Sequence, residues 1–112
     1  MGQPLKLNVT VTVNVTDERY HVGDTVEIHW SFRRFSSKSY EELARALWRV
    51  YWDTVSTLSY NPRASIVDNS TLEVRNATLD DSGIYRCYVM SDWFYYTDQH
   101  LYMYFNVTIK GW

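Results

Sequence analysis

Leu79-Asp80-Asp81-Ser82-Gly83-Ile84-Tyr85-Arg86-Cys87 is the stretch on which the reading of this chain turns. Asp81, Gly83, Tyr85 and Cys87 fall at every second position, so an acidic turn feeds a strand whose tyrosine precedes a cysteine by two residues. The alternation continues past the cysteine. It sends Tyr85, Cys87 and Val89 to one side of a strand and Arg86, Tyr88 and Met90 to the other.

These offsets match the D-x-G-x-Y-x-C signature, and the stretch resembles the E–F corner and strand F of a variable-type immunoglobulin-superfamily domain. The resemblance implies an all-β, immunoglobulin-like antiparallel β-sandwich. It gives Tyr85 a buried ring with its hydroxyl turned back to the corner backbone, Gly83 the tight turn, and Asp81 a buried cation. Arg63, within Asn61-Pro62-Arg63-Ala64-Ser65, stands where the family's strand D arginine pairs with that aspartate. These residues describe a scaffold and carry no information about a target.

The rest of the chain is set out around this corner. Leu5, Leu7, Val9, Val11, Val13 and Val15 alternate as a first strand or a pair of short strands, and Asp17 to Asp24 turns the chain. Gly23 to Trp30 aligns with the family's strand B, with Val26, Ile28, Trp30 and Phe32 inward and Glu27, His29 and Ser31 outward. Trp30 then takes the place of the partner cysteine, and the inter-sheet disulfide is absent. Trp30 to Trp48 spans eighteen positions where the family uses about a dozen. Within that insert Ser39 and Glu42 form an S-x-x-E capping box ahead of Leu43, Ala44, Ala46 and Leu47, which predicts a short helix in the B–C loop. Trp48 to Trp52 reads as strand C, with Trp48 or Trp52 as the core tryptophan and Trp48 preferred because it shortens the loop. Thr54 to Tyr60 follows as C′, Ala64 to Val67 as D, and Ser70 to Leu79 as E, with Leu79 closing the core below Tyr85. Strand G runs from Leu101 to Ile109, with Phe105, Val107 and Ile109 inward and Tyr102, Tyr104 and Asn106 outward.

A chain of 112 residues holds one core, so residues 5–110 are expected to form a single domain preceded by residues 1–4. Met1-Gly2 reads as an added start, not as a signal peptide, and no apolar run is long enough to span a membrane. A net charge of −2 without a basic run excludes steering toward nucleic acid. Five N-x-S/T sequons, at Asn8, Asn14, Asn69, Asn76 and Asn106, exceed the one or so expected by chance and argue for a secreted or cell- or virion-surface location. Any membrane attachment would lie in segments outside this sequence. Cys87 is the sole cysteine and reads as a small buried hydrophobe, not as a nucleophile.

No phosphate loop, G-x-S-x-G or carboxylate–histidine constellation is present, which argues against an enzyme. His21, His29 and His100 have no ligand spacing, and no metal or other cofactor is expected. Binding is the better reading of a chain with 17% aromatic residues, ten of them Tyr and five Trp, since one small core cannot hold them all. Tyr88, Tyr102 and Tyr104 on one sheet face, with Trp93, Phe94, Tyr95, Tyr96 and His100 in the F–G loop, make a candidate partner-binding strip. A partner that buried His100 would make the contact depend on pH near neutrality. A glycan at Asn106 would shield the lower part of that face and direct binding to the loop end.

The lost disulfide, dense sequons and aromatic F–G loop resemble those of fast-diverging herpesvirus surface glycoproteins, in particular Fc-gamma-receptor-like glycoproteins of cytomegaloviruses. That resemblance implies capture of a host protein such as immunoglobulin G Fc. Two rivals are a cellular adhesion or receptor ectodomain that pairs through the tyrosine face, and a glycosylated spacer.

Overall fold

The structure is a computed structural model that describes residues 3–9, 25–49, 54–68, 70–91 and 101–110. Its strands are β1 (Leu5–Leu7), β2 (Thr25–Arg33), β3 (Glu41–Arg49), β4 (Thr54–Ser59), β5 (Ala64–Val67), β6 (Thr71–Val74), β7 (Gly83–Ser91) and β8 (Leu101–Val107). A 3₁₀ turn, Leu79–Asp81, enters β7. The strands form two antiparallel sheets, one in the order β1-β6-β5 and the other β4-β3-β2-β7-β8. Ile28, Trp30, Leu72, Tyr85 and Cys87 are the largest fully buried side chains between them.

This order is that of the variable-type sandwich, B-E-D against C″-C′-C-F-G, and it corrects the lettering drawn from sequence. β2 lies between β3 and β7 in the larger sheet, so it occupies the place of strand C and not of strand B. The place of strand B falls to β1, whose Leu5, Lys6 and Leu7 pair with Val74, Glu73 and Leu72. Trp30 therefore does not stand in for the missing cysteine. It is directly paired with Cys87 on the adjacent strand of the same sheet and fills the position of the family's core tryptophan. Alternation reported correctly which face of β2 is buried, but faces alone do not name the sheet a strand joins.

The expected B–C helix is absent for the same reason. Arg33 ends β2, residues 34–40 make a loop, and residues 41–49 form β3, bonded on one side to β2 and on the other to β4. One or two helical turns carry a nucleation cost with few bonds to offset it, whereas a central strand satisfies both backbone edges. A register shift between Trp30 and Ser31 leaves Leu43 as an extra residue on β3, so Leu43 and the adjacent Ala44 are both buried. That pairing is what gave the segment its helix-like spacing. Glu42, the intended capping partner, points instead to His29.

Trp48 sits near the end of β3 opposite Val26 and packs half-buried against the core. The positions facing Trp30 and Ile28 are Ala44 and Ala46, small because the indole of Trp30 already fills that layer. Of the expected strand from Trp48 to Trp52, Trp48 and Arg49 belong to β3, which already begins at Glu41, and residues 50–52 lie outside the described residues. Of the predicted first strand, Leu5–Leu7 is strand and Val9 is buried, while residues 10–24 lie outside the described residues. Leu79 does not close the core: it is 53% exposed in the 3₁₀ turn, where the chain reverses away from the sheets.

The corner is held by charge and hydrogen bonds. Arg63 donates through Nη1 to Asp81 Oδ2 at 2.9 Å and through Nη2 to Oδ1 at 2.8 Å. The Thr78 amide donates to the same Oδ2 at 2.8 Å, and Tyr85 Oη donates to the Asp81 carbonyl at 2.6 Å. Gly83 is required by close approach, since a Cβ there would collide with the Arg33 carbonyl and lie 2.6 Å from Phe32 Cε2. Trp30 Nε1 donates to the Ser70 carbonyl at 2.9 Å, a polar tie from the larger sheet to the chain entering β6.

Candidate functional site

The outward face of the five-stranded sheet is assembled row by row from the register. One row runs across all five strands as Leu58, Arg45, His29, Tyr88 and Tyr102. A neighbouring row holds Glu42, Ser31, Arg86 and Tyr104, and another holds Ser56, Leu47, Glu27 and Met90. Period-two alternation places these side chains on one side because the residues between them form the core.

The tyrosines form a stack. Tyr88 and Tyr102 lie 4.7 Å apart between ring centroids, and Tyr102 and Tyr104 lie 6.3 Å apart at an interplanar angle of 15°. Tyr102 is 49% exposed and Tyr104 60%, so the outer part of the stack offers flat, rigid apolar area to an incoming surface. Burial first, then the neighbouring Tyr102 and Glu27, raises the Tyr88 pKa, and its hydroxyl stays neutral at physiological pH.

Beside the stack lies a concavity of about 410 Å³ bordered by Glu27, His29, Tyr40, Glu42, Arg45 and Arg86. His29 Nδ1 donates to Glu42 Oε1 at 3.1 Å, the only role open to it against a carboxylate. Its Nε2 is buried, 3.8 Å from Glu27 Oε2, and makes no hydrogen bond. Arg86 lies over Tyr40, its guanidinium carbon 3.9 Å from the ring centroid and 5.6 Å from that of Tyr102. Among the described residues, no group of three or more His, Cys, Asp or Glu is placed to hold a metal ion. A second concavity, about 490 Å³, opens at the corner beside Arg63, Asp81 and Tyr85. Two of its charged groups, Arg63 and Asp81, are already used by the pair that holds the corner.

The structure thus brings together Tyr88, Tyr102 and Tyr104 from the predicted strip. Trp93, Phe94, Tyr95, Tyr96 and His100 lie outside the described residues. Tyr40, Arg45 and the contacts of Arg86 were not found from sequence, because Tyr40 opens the segment misread as a helix and its neighbours on β2 and β7 are remote in sequence. Of the sequon asparagines, Asn8, Asn76 and Asn106 are exposed, with Asn106 outward on β8 two residues beyond Tyr104; Asn14 and Asn69 lie outside the described residues.

Cys87 is fully buried, and burial pushes its thiol pKa up to about 12. Only the thiolate attacks a disulfide reagent. The native protein is therefore expected to react with a chromogenic disulfide at least about a hundredfold more slowly than free cysteine, with full reactivity appearing in denaturant; absorbance of the released thiol measures both.

No known protein-family profile and no characterised protein sequence matches the chain. Solved structures do. The extracellular domain of the voltage-gated sodium channel beta4 subunit, described in parallel homodimers and in cell–cell adhesion, superposes with a TM-score of 0.68 at 14% identity, over 96% of this chain and 82% of that one. Glycoprotein D of equine herpesvirus type 4 gives 0.71 at 17% identity, over 97% of this chain and 48% of the glycoprotein. The V domain of amphioxus IgVJ-C2 gives 0.54 at 16%, over 96% and 92%. At these identities the likeness concerns the fold, and with the strand order and corner described above it establishes an immunoglobulin-like β-sandwich of the variable type.

Proposed function

We propose that this domain is a non-catalytic, extracellular protein-binding module that engages its partner through the outward face of the five-stranded sheet and the adjoining F–G loop. The observation that carries the reading is the stacked, half-exposed row Tyr88–Tyr102–Tyr104, continued in sequence by Trp93, Phe94, Tyr95 and Tyr96. Tyrosine and tryptophan supply large contact area at small entropic cost. Glycans on Asn8 and Asn76 would leave this face open, and one on Asn106 would border its lower end. The finer reading is an ectodomain of a viral surface glycoprotein that captures a host immune protein, with immunoglobulin G Fc as the first candidate. The herpesvirus glycoprotein among the structural neighbours supports the viral part of that reading.

The test is capture of purified Fc, and of serum and immune-cell surface proteins, by the glycosylated domain and by Tyr102→Ala, Tyr104→Ala, Trp93→Ala and Tyr95→Ala. Each substitution is expected to weaken capture by about tenfold or more, the usual effect of truncating an aromatic anchor, with the melting temperature nearly unchanged. Undiminished capture by all four folded variants overturns the site. Capture of a different immune protein through the same residues removes Fc and leaves the site standing.

A further inference from the structure

Two buried side-chain nitrogens on this face lack a hydrogen-bond partner among the described residues, His29 Nε2 and Arg86 Nε, and of the two side chains only that of Arg86 carries a permanent charge. Its Nε is buried and has no hydrogen-bond partner, and among the described residues no carboxylate or carbonyl accepts from its guanidinium. Of the two carboxylates lining the concavity, Glu42 accepts from His29 Nδ1 through Oε1 and Glu27 lies 3.8 Å from His29 Nε2. Burying a charged donor without an acceptor costs more than an ordinary unmade hydrogen bond. Cation–π contact with Tyr40 and Tyr102 offsets part of that cost and restrains where the fork can sit. Arg33 lies 5.6 Å from the centroid of the same Tyr40 ring, so two guanidinium groups meet this ring. A planar, pre-oriented guanidinium with unused donors matches a carboxylate, which accepts two parallel N–H bonds.

From this geometry we infer that Arg86 is a specificity anchor for the carboxylate of an Asp or Glu side chain on the protein partner, seated in the concavity between Tyr40 and Tyr102. The inference rests on the binding face proposed above and adds the chemistry of the residue that must meet it.

The Nε–H of Arg86 is buried and is expected to exchange slowly with water, so its ¹⁵N–¹H resonance, assigned by its loss in Arg86→Gln, reports on the site. The probe is N-acetylglutamic acid α-amide, with the glutamine analogue as neutral control and exposed Arg45 as internal reference. Saturable movement of the Arg86 resonance is expected, about tenfold tighter than at Arg45 and absent with the glutamine analogue. In the capture assay Arg86→Gln is expected to weaken binding by about tenfold or more, and Arg86→Lys to restore little of it, because an ammonium cannot form the fork. Equal response at Arg86 and Arg45 overturns the anchor. So does capture that is indifferent to Arg86→Gln yet lost in the tyrosine variants, which leaves the face intact as a binding site. Tighter saturation by 3′-sialyllactose or inorganic sulfate assigns the site to a glycan or a free anion and overturns the side-chain carboxylate. A resonance that moves with protein concentration alone assigns it to a second copy, which likewise overturns a separate partner.

Discussion

Replacement of Trp30 by alanine is expected to lower the unfolding free energy by about 3–5 kcal/mol, the range for deleting a buried large aromatic side chain. The side chain is 0% exposed, sits 5.5 Å from the ring of Phe105, and pairs across the ladder with Cys87. Its neighbours Ala44 and Ala46 are too short to close the void. The loss also orphans the Ser70 carbonyl that accepts from Nε1, which adds roughly 1 kcal/mol. A chain with one cysteine has no internal disulfide to limit the damage. Typical domain stabilities are about 5–15 kcal/mol, so the variant is expected to be largely unfolded well below the wild-type midpoint. Urea titration followed by far-ultraviolet circular dichroism measures this. Trp30→Phe, which keeps much of the volume but not the donor, should recover more than half of the loss; a phenylalanine variant as unstable as the alanine one would show that the hydrogen bond, not the filled layer, dominates.

The corner pair is the second large effect. Arg63→Ala is expected to cost about 2–3 kcal/mol, somewhat below the roughly 3–5 of a fully buried pair, because the Arg63 side chain is 39% exposed while Asp81 is 10% exposed. The same pair carries a pH signature. Burial pushes the Asp81 pKa up, but hydrogen bonds from Arg63 and from Thr78, with the charge of Arg63, outweigh it and hold the carboxyl below its ordinary value. A folded-state pKa below that of the unfolded chain means that the unfolded chain takes up the proton first. The stabilisation is therefore complete above the ordinary aspartate value of about 3.9 and is lost as pH falls through the lowered folded value. Urea midpoints measured from pH 6 down to pH 2 should fall on the acid side in the wild type and fall less steeply in Arg63→Ala. Parallel acid limbs would assign the acid sensitivity to other carboxylates.

Much of this was legible because it is local. The turn at Asp81, Gly83 and Tyr85 depends on offsets within one short segment, and the faces of β7 and β8 follow from strict alternation, which any one-residue slip would invert. Arg63 was reachable as the partner of Asp81 only through the family resemblance. The segment from Arg33 to Leu47 misled for an equally physical reason. Leu43, Ala44, Ala46 and Leu47 have helical spacing because a bulge opposite Trp30 and Ser31 buries two consecutive residues, and a bulge is a property of two paired strands.

What the amino-acid sequence by itself determined is which residues face inward along β2, β6, β7 and β8 and how the corner before β7 is built, since both depend on neighbours a few positions apart. Which sheet β2 joins, why Trp30 rather than Trp48 fills the central layer, and how Tyr40, Arg86 and Tyr102 meet were decided only by the tertiary structure. Those outcomes depend on hydrogen-bonded neighbours tens of residues away, and a strand's own alternation is the same whichever neighbour it finds.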